Sequence, residues 1–152
     1  MEIKYQTILK NNLIIKPAGA MADDSGFLFT VKPLTIDEIV NLESIYNSES
    51  LFPSSLRELL FLAGKRCYVL DYGLNDTQEE MQDEVRDCLV EYGFNNLIFV
   101  YLDEGVNDPI VYQANLDPYL SSGYPRIMSL KASLSAFVNN RISELLNGYN
   151  PF

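Results

Sequence analysis

The sequence predicts a single α+β domain, and three observations carry that expectation. A length of 152 residues with 47% hydrophobic content suffices for one core, since domains of roughly 100–150 residues are the commonest size. Two capping boxes, Thr35 with Glu38 and Thr77 with Glu80, each open a stretch with apolar residues at helical spacing. Short β-branched and aromatic runs at residues 67–72 and 97–102, bounded by Gly or Asn, read as strands.

In chain order, residues 1–34 read as extended pieces. Leu13-Ile14-Ile15 and Phe27-Leu28-Phe29-Thr30-Val31 would be the arms of a hairpin with a long, small and polar loop, and Pro33 closes the run. The first helix starts after Thr35 and carries Ile36, Ile39, Val40, Leu42 and Tyr46 near one face, until Asn47-Ser48-Glu49-Ser50 supplies turn chemistry. Pro53 suits the start of a second helix, where its missing amide costs nothing, and Gly64 suits the position past its end. The residues between, Leu56, Leu59, Leu60, Phe61 and Leu62, are apolar on most sides, as in a deeply packed element. A third helix, from Thr77 to near Gly93, has Met81, Val85, Cys88, Leu89 and Tyr92 as its buried stripe. Residues 110–112 and 126–128 are weaker strand candidates. Leu130, Leu134, Phe137, Val138, Ile142 and Leu145 mark a terminal helix that stops at Gly148.

Composition narrows the function. No apolar run approaches the roughly 18 residues of a membrane helix, and the start Met1-Glu2-Ile3-Lys4-Tyr5 has none of the parts of a secretory signal; a cytoplasmic, soluble protein is expected. Histidine is absent, and with it the usual general base near neutral pH and the middle member of nucleophilic triads. Cys67 and Cys88 are too far apart for a CxxC pair, so no metal and no cofactor is expected. A net charge of −10 repels phosphate backbones and anionic lipids, which disfavours nucleic acid and membranes as direct partners. Residues 71–108 hold eleven acids against one base, Arg86, leaving ten acids and ten bases elsewhere.

Around the second helix the spacing is Leu51-Phe52-Pro53, three residues, Arg57-Glu58-Leu59-Leu60, then Ala63-Gly64. Further on stand Asp103-Glu104-Gly105, Asn107-Asp108-Pro109-Ile110-Val111-Tyr112 and the Ser-Leu-centred run from Leu130 to Phe137. Across residues 35–146 this order resembles the SUKH superfamily. It departs from that pattern in having Gly64-Lys65 where a glycine pair is usual, a long acidic helix at 77–93, and no tryptophan. The resemblance implies a mixed, mainly antiparallel sheet flanked by helices, without an active site. It also implies a protein that acts by binding another protein, since many members are immunity proteins that neutralise toxins of competing bacteria and others are intracellular regulators.

Several constellations bear on binding. Glu80, Glu84, Asp87 and Glu91 form a file of carboxylates on the third helix, a pattern that weakens the helix by a few tenths of a kcal/mol per like-charge neighbour. Its plain explanation is a solvated face; the functional one is a negative surface for a basic partner, continued by Asp103, Glu104 and Asp108. The bend from Asp103 fails as a calcium loop, because its sixth residue is Asp108 and its twelfth is Ala114. Asp71, Asp103 and Glu104 near strand ends keep a hydrolase as a third reading, although no phosphate loop or nucleophile elbow accompanies them. Tyr112, Tyr119 and Tyr124 around Pro118 and Pro125 are either loop packing or interface anchors. The leading expectation is an immunity protein that binds a basic toxin domain, such as a nuclease, in stoichiometric fashion. An intracellular scaffold or regulator of the same fold is the alternative, and the oligomeric state stays open.

Overall fold

The computed structural model describes residues 1–13, 32–64, 97–115 and 126–147. Its helices are α1 (Thr7–Asn11), α2 (Ile36–Tyr46), α3 (Ser54–Ala63) and α4 (Leu134–Leu146). Strands β1 (Leu97–Val100), β2 (Ile110–Asn115) and β3 (Arg126–Ser133) form an antiparallel sheet in the order β1-β2-β3. The chain is therefore a small α+β domain, with the sheet antiparallel as expected. Of the expected hairpin arms only Leu13 is described, packed partly against the core; the rest of both arms, the strand at 67–72 and the acidic helix at 77–93 lie outside the described residues, as do Cys67 and Cys88.

Helix α2 forms as the local sequence dictates. Thr35 Oγ1 accepts the Glu38 N–H at 3.2 Å and Glu38 Oε2 accepts the Thr35 N–H at 2.8 Å, which closes the capping box. The backbone N–H and then the hydroxyl of Thr35 hold the Glu38 carboxyl below its ordinary value. Of the predicted apolar face, Ile39 is buried, while Ile36, Val40 and Tyr46 are exposed. Helices α2 and α3 are joined through Glu43, buried, whose Oε1 accepts the Phe52 N–H at 2.8 Å and stands 3.1 Å from Arg57 Nε. That last approach is an ion pair without hydrogen-bond alignment.

Pro53 occupies the cap position of α3, and Gly64 ends it with φ 70° and ψ −151°. Within α3 the side chains that reach the core are Leu59, Leu62 and Ala63; Leu56 and Phe61 pack partly against it, and Leu60 is half-buried. Its buried face is thus narrower than the sequence suggests, because all-round apolarity records composition and not which side meets the sheet.

The core joins Leu9 of α1, Leu59, Leu62 and Ala63 of α3, Val111 of β2, and Leu134, Phe137, Val138 and Ile142 of α4. Leu9 is fully buried there. This corrects the expectation of an extended N-terminal segment: Thr7–Asn11 is helical and belongs to the core. A five-residue helix is too short to be stable alone. It is held from outside by Glu58 of α3, whose carboxylate accepts the N–H groups of Lys4 at 2.9 Å, Tyr5 at 2.7 Å and Gln6 at 2.8 Å. The Gln6 side chain then donates to the Ser55 carbonyl at 3.2 Å. Its far end is closed locally, by Asn12 Nδ2 donating to the Ile8 carbonyl at 2.8 Å, but no side-chain cap at Gln6 announces its start.

The terminal helix begins at Leu134 and not at Leu130, because β3 runs on to Ser133. Between the pairs Tyr112↔Ser129 and Ile110↔Ser133 the register shifts, so residues 130–132 oppose Val111 in a bulge. Lys131 sits there with φ 55°, left-handed backbone uncommon for a residue with a Cβ. The bulge lets Leu130 and Ala132 pack on the core and delivers Ser133 to the helix start.

A candidate binding site on the β1–β2 bend and the outer sheet face

The connection between β1 and β2 is anchored at its base. The Asn107 carbonyl accepts the Ser55 N–H at 2.9 Å and its Oδ1 accepts the Ser54 hydroxyl at 2.8 Å, so the start of α3 is bound to the bend. One residue on, Asp108 accepts the Ser135 N–H at 3.0 Å and the Ser135 hydroxyl at 2.6 Å. The Pro109 carbonyl accepts the Leu134 N–H at 2.8 Å, and Ser133 Oγ accepts that of Ala136 at 3.3 Å. These contacts satisfy three otherwise free amides at the start of α4.

Asp108 therefore serves the fold. Burial alone would push its carboxyl up, but the Ser135 hydroxyl and backbone, with Ser133 and Ser55 acting the same way, bring it below the ordinary aspartate value. A depressed carboxyl contributes stability at pH above its unfolded pKa and loses it as pH falls through the folded value. The parent is thus expected to lose stability on acidification below the ordinary aspartate range more steeply than Asp108→Asn does. Equal slopes in urea unfolding from pH 5 down to pH 2 would show that the cap carries no charge-dependent stability.

Beyond this base the bend is open. Asp103, Glu104, Gly105 and Val106 are exposed, and the tip turns on a Val106 N–H to Asp103 carbonyl bond of 3.3 Å, with Gly105 at φ 78°. Neither the Asp103 nor the Glu104 carboxylate has a hydrogen bond or an ion pair among the described residues. The two acids stand on a fixed base and make no side-chain contact with the other described residues.

The sheet beside the bend has two unlike faces. Ile98, Val100 and Val111 turn to the core, and residues of the opposite parity turn away from it. On the outer face Phe99 pairs with Tyr112 across the strands, their rings 5.9 Å apart and 25° from parallel. Tyr101, just past β1, lies 5.4 Å from Phe99 at 87° and 5.0 Å from Tyr112 at 69°. Tyr101 is 46% exposed, Ile110 41% and Ile127 50%.

Of the residues singled out in the sequence, Asp103, Glu104 and Tyr112 are thus brought to one end of the sheet, and Asp108 is diverted to capping. Glu80, Glu84, Asp87, Glu91, Tyr119 and Tyr124 lie outside the described residues. Sequence reasoning passed over Tyr101 and Phe99, although the alternation Leu97, Phe99, Tyr101 within one strand already put two aromatic rings on one face.

Among the described residues no group of three or more His, Cys, Asp or Glu side chains is placed to hold a metal ion, and no helix is long and apolar enough to cross a membrane. Compared with known proteins, the chain matches no family model, no curated protein and no solved structure.

Proposed function

We propose that the protein acts in the cytoplasm as a stoichiometric binding protein, an immunity protein of the SUKH type that neutralises a bacterial toxin with a basic active surface. One observation carries the reading: Asp103 and Glu104 are exposed and unpaired among the described residues, on a bend whose base is fixed to two helix starts. Like charges side by side do not help folding, and a preorganised element loses little entropy on binding. Carboxylates set beside a half-exposed aromatic face suit a partner that is basic and partly apolar, such as the phosphate-binding surface of a nuclease. Binding that surface would block the toxin without chemistry by the immunity protein.

The direct test is protection. On this reading a toxin domain encoded beside this gene should arrest growth when expressed alone, be silenced by co-expression of this chain, and co-elute with it at a fixed ratio; absence of any such neighbour would count against immunity. A neighbouring toxin that is neither bound nor silenced would overturn the immunity reading and leave the intracellular regulator of the same fold.

A further inference from the structure

We infer that the Tyr101 ring is a stacking platform for an arginine side chain of the protein partner, with the carboxylates of Asp103 and Glu104 receiving its N–H donors. The inference rests on the protein-binding reading above and specifies its chemistry. Both rings packed against Tyr101 meet it steeply, at 87° and 69°, so among the described residues no ring lies flat on it. Phe99 and Tyr112, by contrast, are near parallel to each other and complete their own pair. Tyr101 is also exposed, so a planar group can reach it from solvent.

Charge decides which planar group. Segment 97–115 contains three acids, Asp103, Glu104 and Asp108, and no Lys or Arg. With Asp108 engaged by Ser135, the carboxylates two and three residues beyond Tyr101 keep their acceptor capacity. Guanidinium is planar, weakly hydrated and always charged, so it stacks on an aromatic face while its edge donates to carboxylate. Lysine ammonium is compact and strongly hydrated and gains less from the same face. An apolar or aromatic side chain could stack but would leave the two carboxylates unanswered.

The test uses the full chain and arginine amide as probe, followed by NMR. Arginine amide should shift the Tyr101 ring and the amides of residues 101–104, whereas lysine amide and citrulline amide should shift them less. Tyr101→Phe keeps the platform and should respond like the parent; Tyr101→Leu keeps apolar bulk and should bind about two- to fivefold more weakly. Asp103→Asn with Glu104→Gln should abolish the preference for arginine over citrulline. Equal responses to lysine and arginine, a Tyr101→Leu response equal to that of the parent, or no shift at Tyr101 would each overturn the assignment. A chain that protects cells from the toxin yet shows none of these shifts would retain the immunity reading and lose the arginine platform. Melting of the variants at the parental temperature would confirm that the exposed ring is not needed for folding.

Discussion

Replacing Glu58 with alanine is expected to lower the unfolding free energy by about 2–4 kcal/mol, because a buried donor left without an acceptor, as at Gln6, costs roughly 1–3 kcal/mol and the part-buried donors of Lys4 and Tyr5 cost less. The carboxylate is almost wholly buried and accepts three consecutive backbone N–H groups, from Lys4, Tyr5 and Gln6. Relief of the buried charge offsets part of that sum, which is why the full cost of three donors is not expected. The loss should also be directional. Residues 1–13 would come away first, taking Leu9 out of a core in which it is fully buried. Amide exchange in α1 should then rise before that of α4. Glu58→Gln preserves one acceptor oxygen and should fall between parent and alanine variant. Urea unfolding of Glu58→Ala at the parental midpoint would show that the N-terminal helix is held by something other than this carboxylate.

Gly64→Ala is the second large effect, on the order of 3 kcal/mol or more, from strain and broken contacts together. The backbone at Gly64 has φ 70° and ψ −151°, a region that residues with a Cβ avoid. A Cβ added there would also run into the carbonyl of Lys32, which is backbone and cannot rotate aside. That carbonyl is fixed because the segment leading into α2 is bound to the end of α3, by Lys32 N–H to the Ala63 carbonyl at 3.2 Å and Leu34 N–H to the Leu60 carbonyl at 3.0 Å. Relieving the clash means breaking one or both bonds. Gly105→Ala makes the contrasting control: it has φ 78° but nothing near a Cβ, so only the backbone term applies. Thermal melts should rank Gly64→Ala well below Gly105→Ala, and equal melting would mean that the approach of Lys32 is not maintained in solution.

The two sites also show what the sequence could and could not disclose. Gly64 as a helix stop and Thr35-Glu38 as a helix start were legible, because the groups that satisfy each other lie within a few residues. Helix α1 was not, since the segment that leads into it is held by a carboxylate more than fifty residues away. The same distance effect hid the role of Asp108, an acid of the predicted binding face that caps a helix 27 residues further on. Leu130 misplaced the start of α4, because a bulged strand end and a helix start can both place an apolar residue on the core. Within the candidate site, charge and exposure of Asp103 and Glu104 followed from their Gly-containing bend. What escaped notice was that the cross-strand register would seat Tyr101 against Phe99 and Tyr112.

The central claim is that the acids of the bend serve a partner and not the fold. It is tested most directly by the association kinetics of Asp103→Asn with Glu104→Gln against the proposed basic protein partner, once isolated, over a range of salt concentrations. Charges that steer encounter act on the rate of association and are weakened by salt. The double variant should melt at the parental temperature, associate more slowly at low salt, and show a flatter dependence on salt than the parent. An unchanged association rate with an unchanged salt response would contradict the account and reduce the two carboxylates to solvation of an exposed turn.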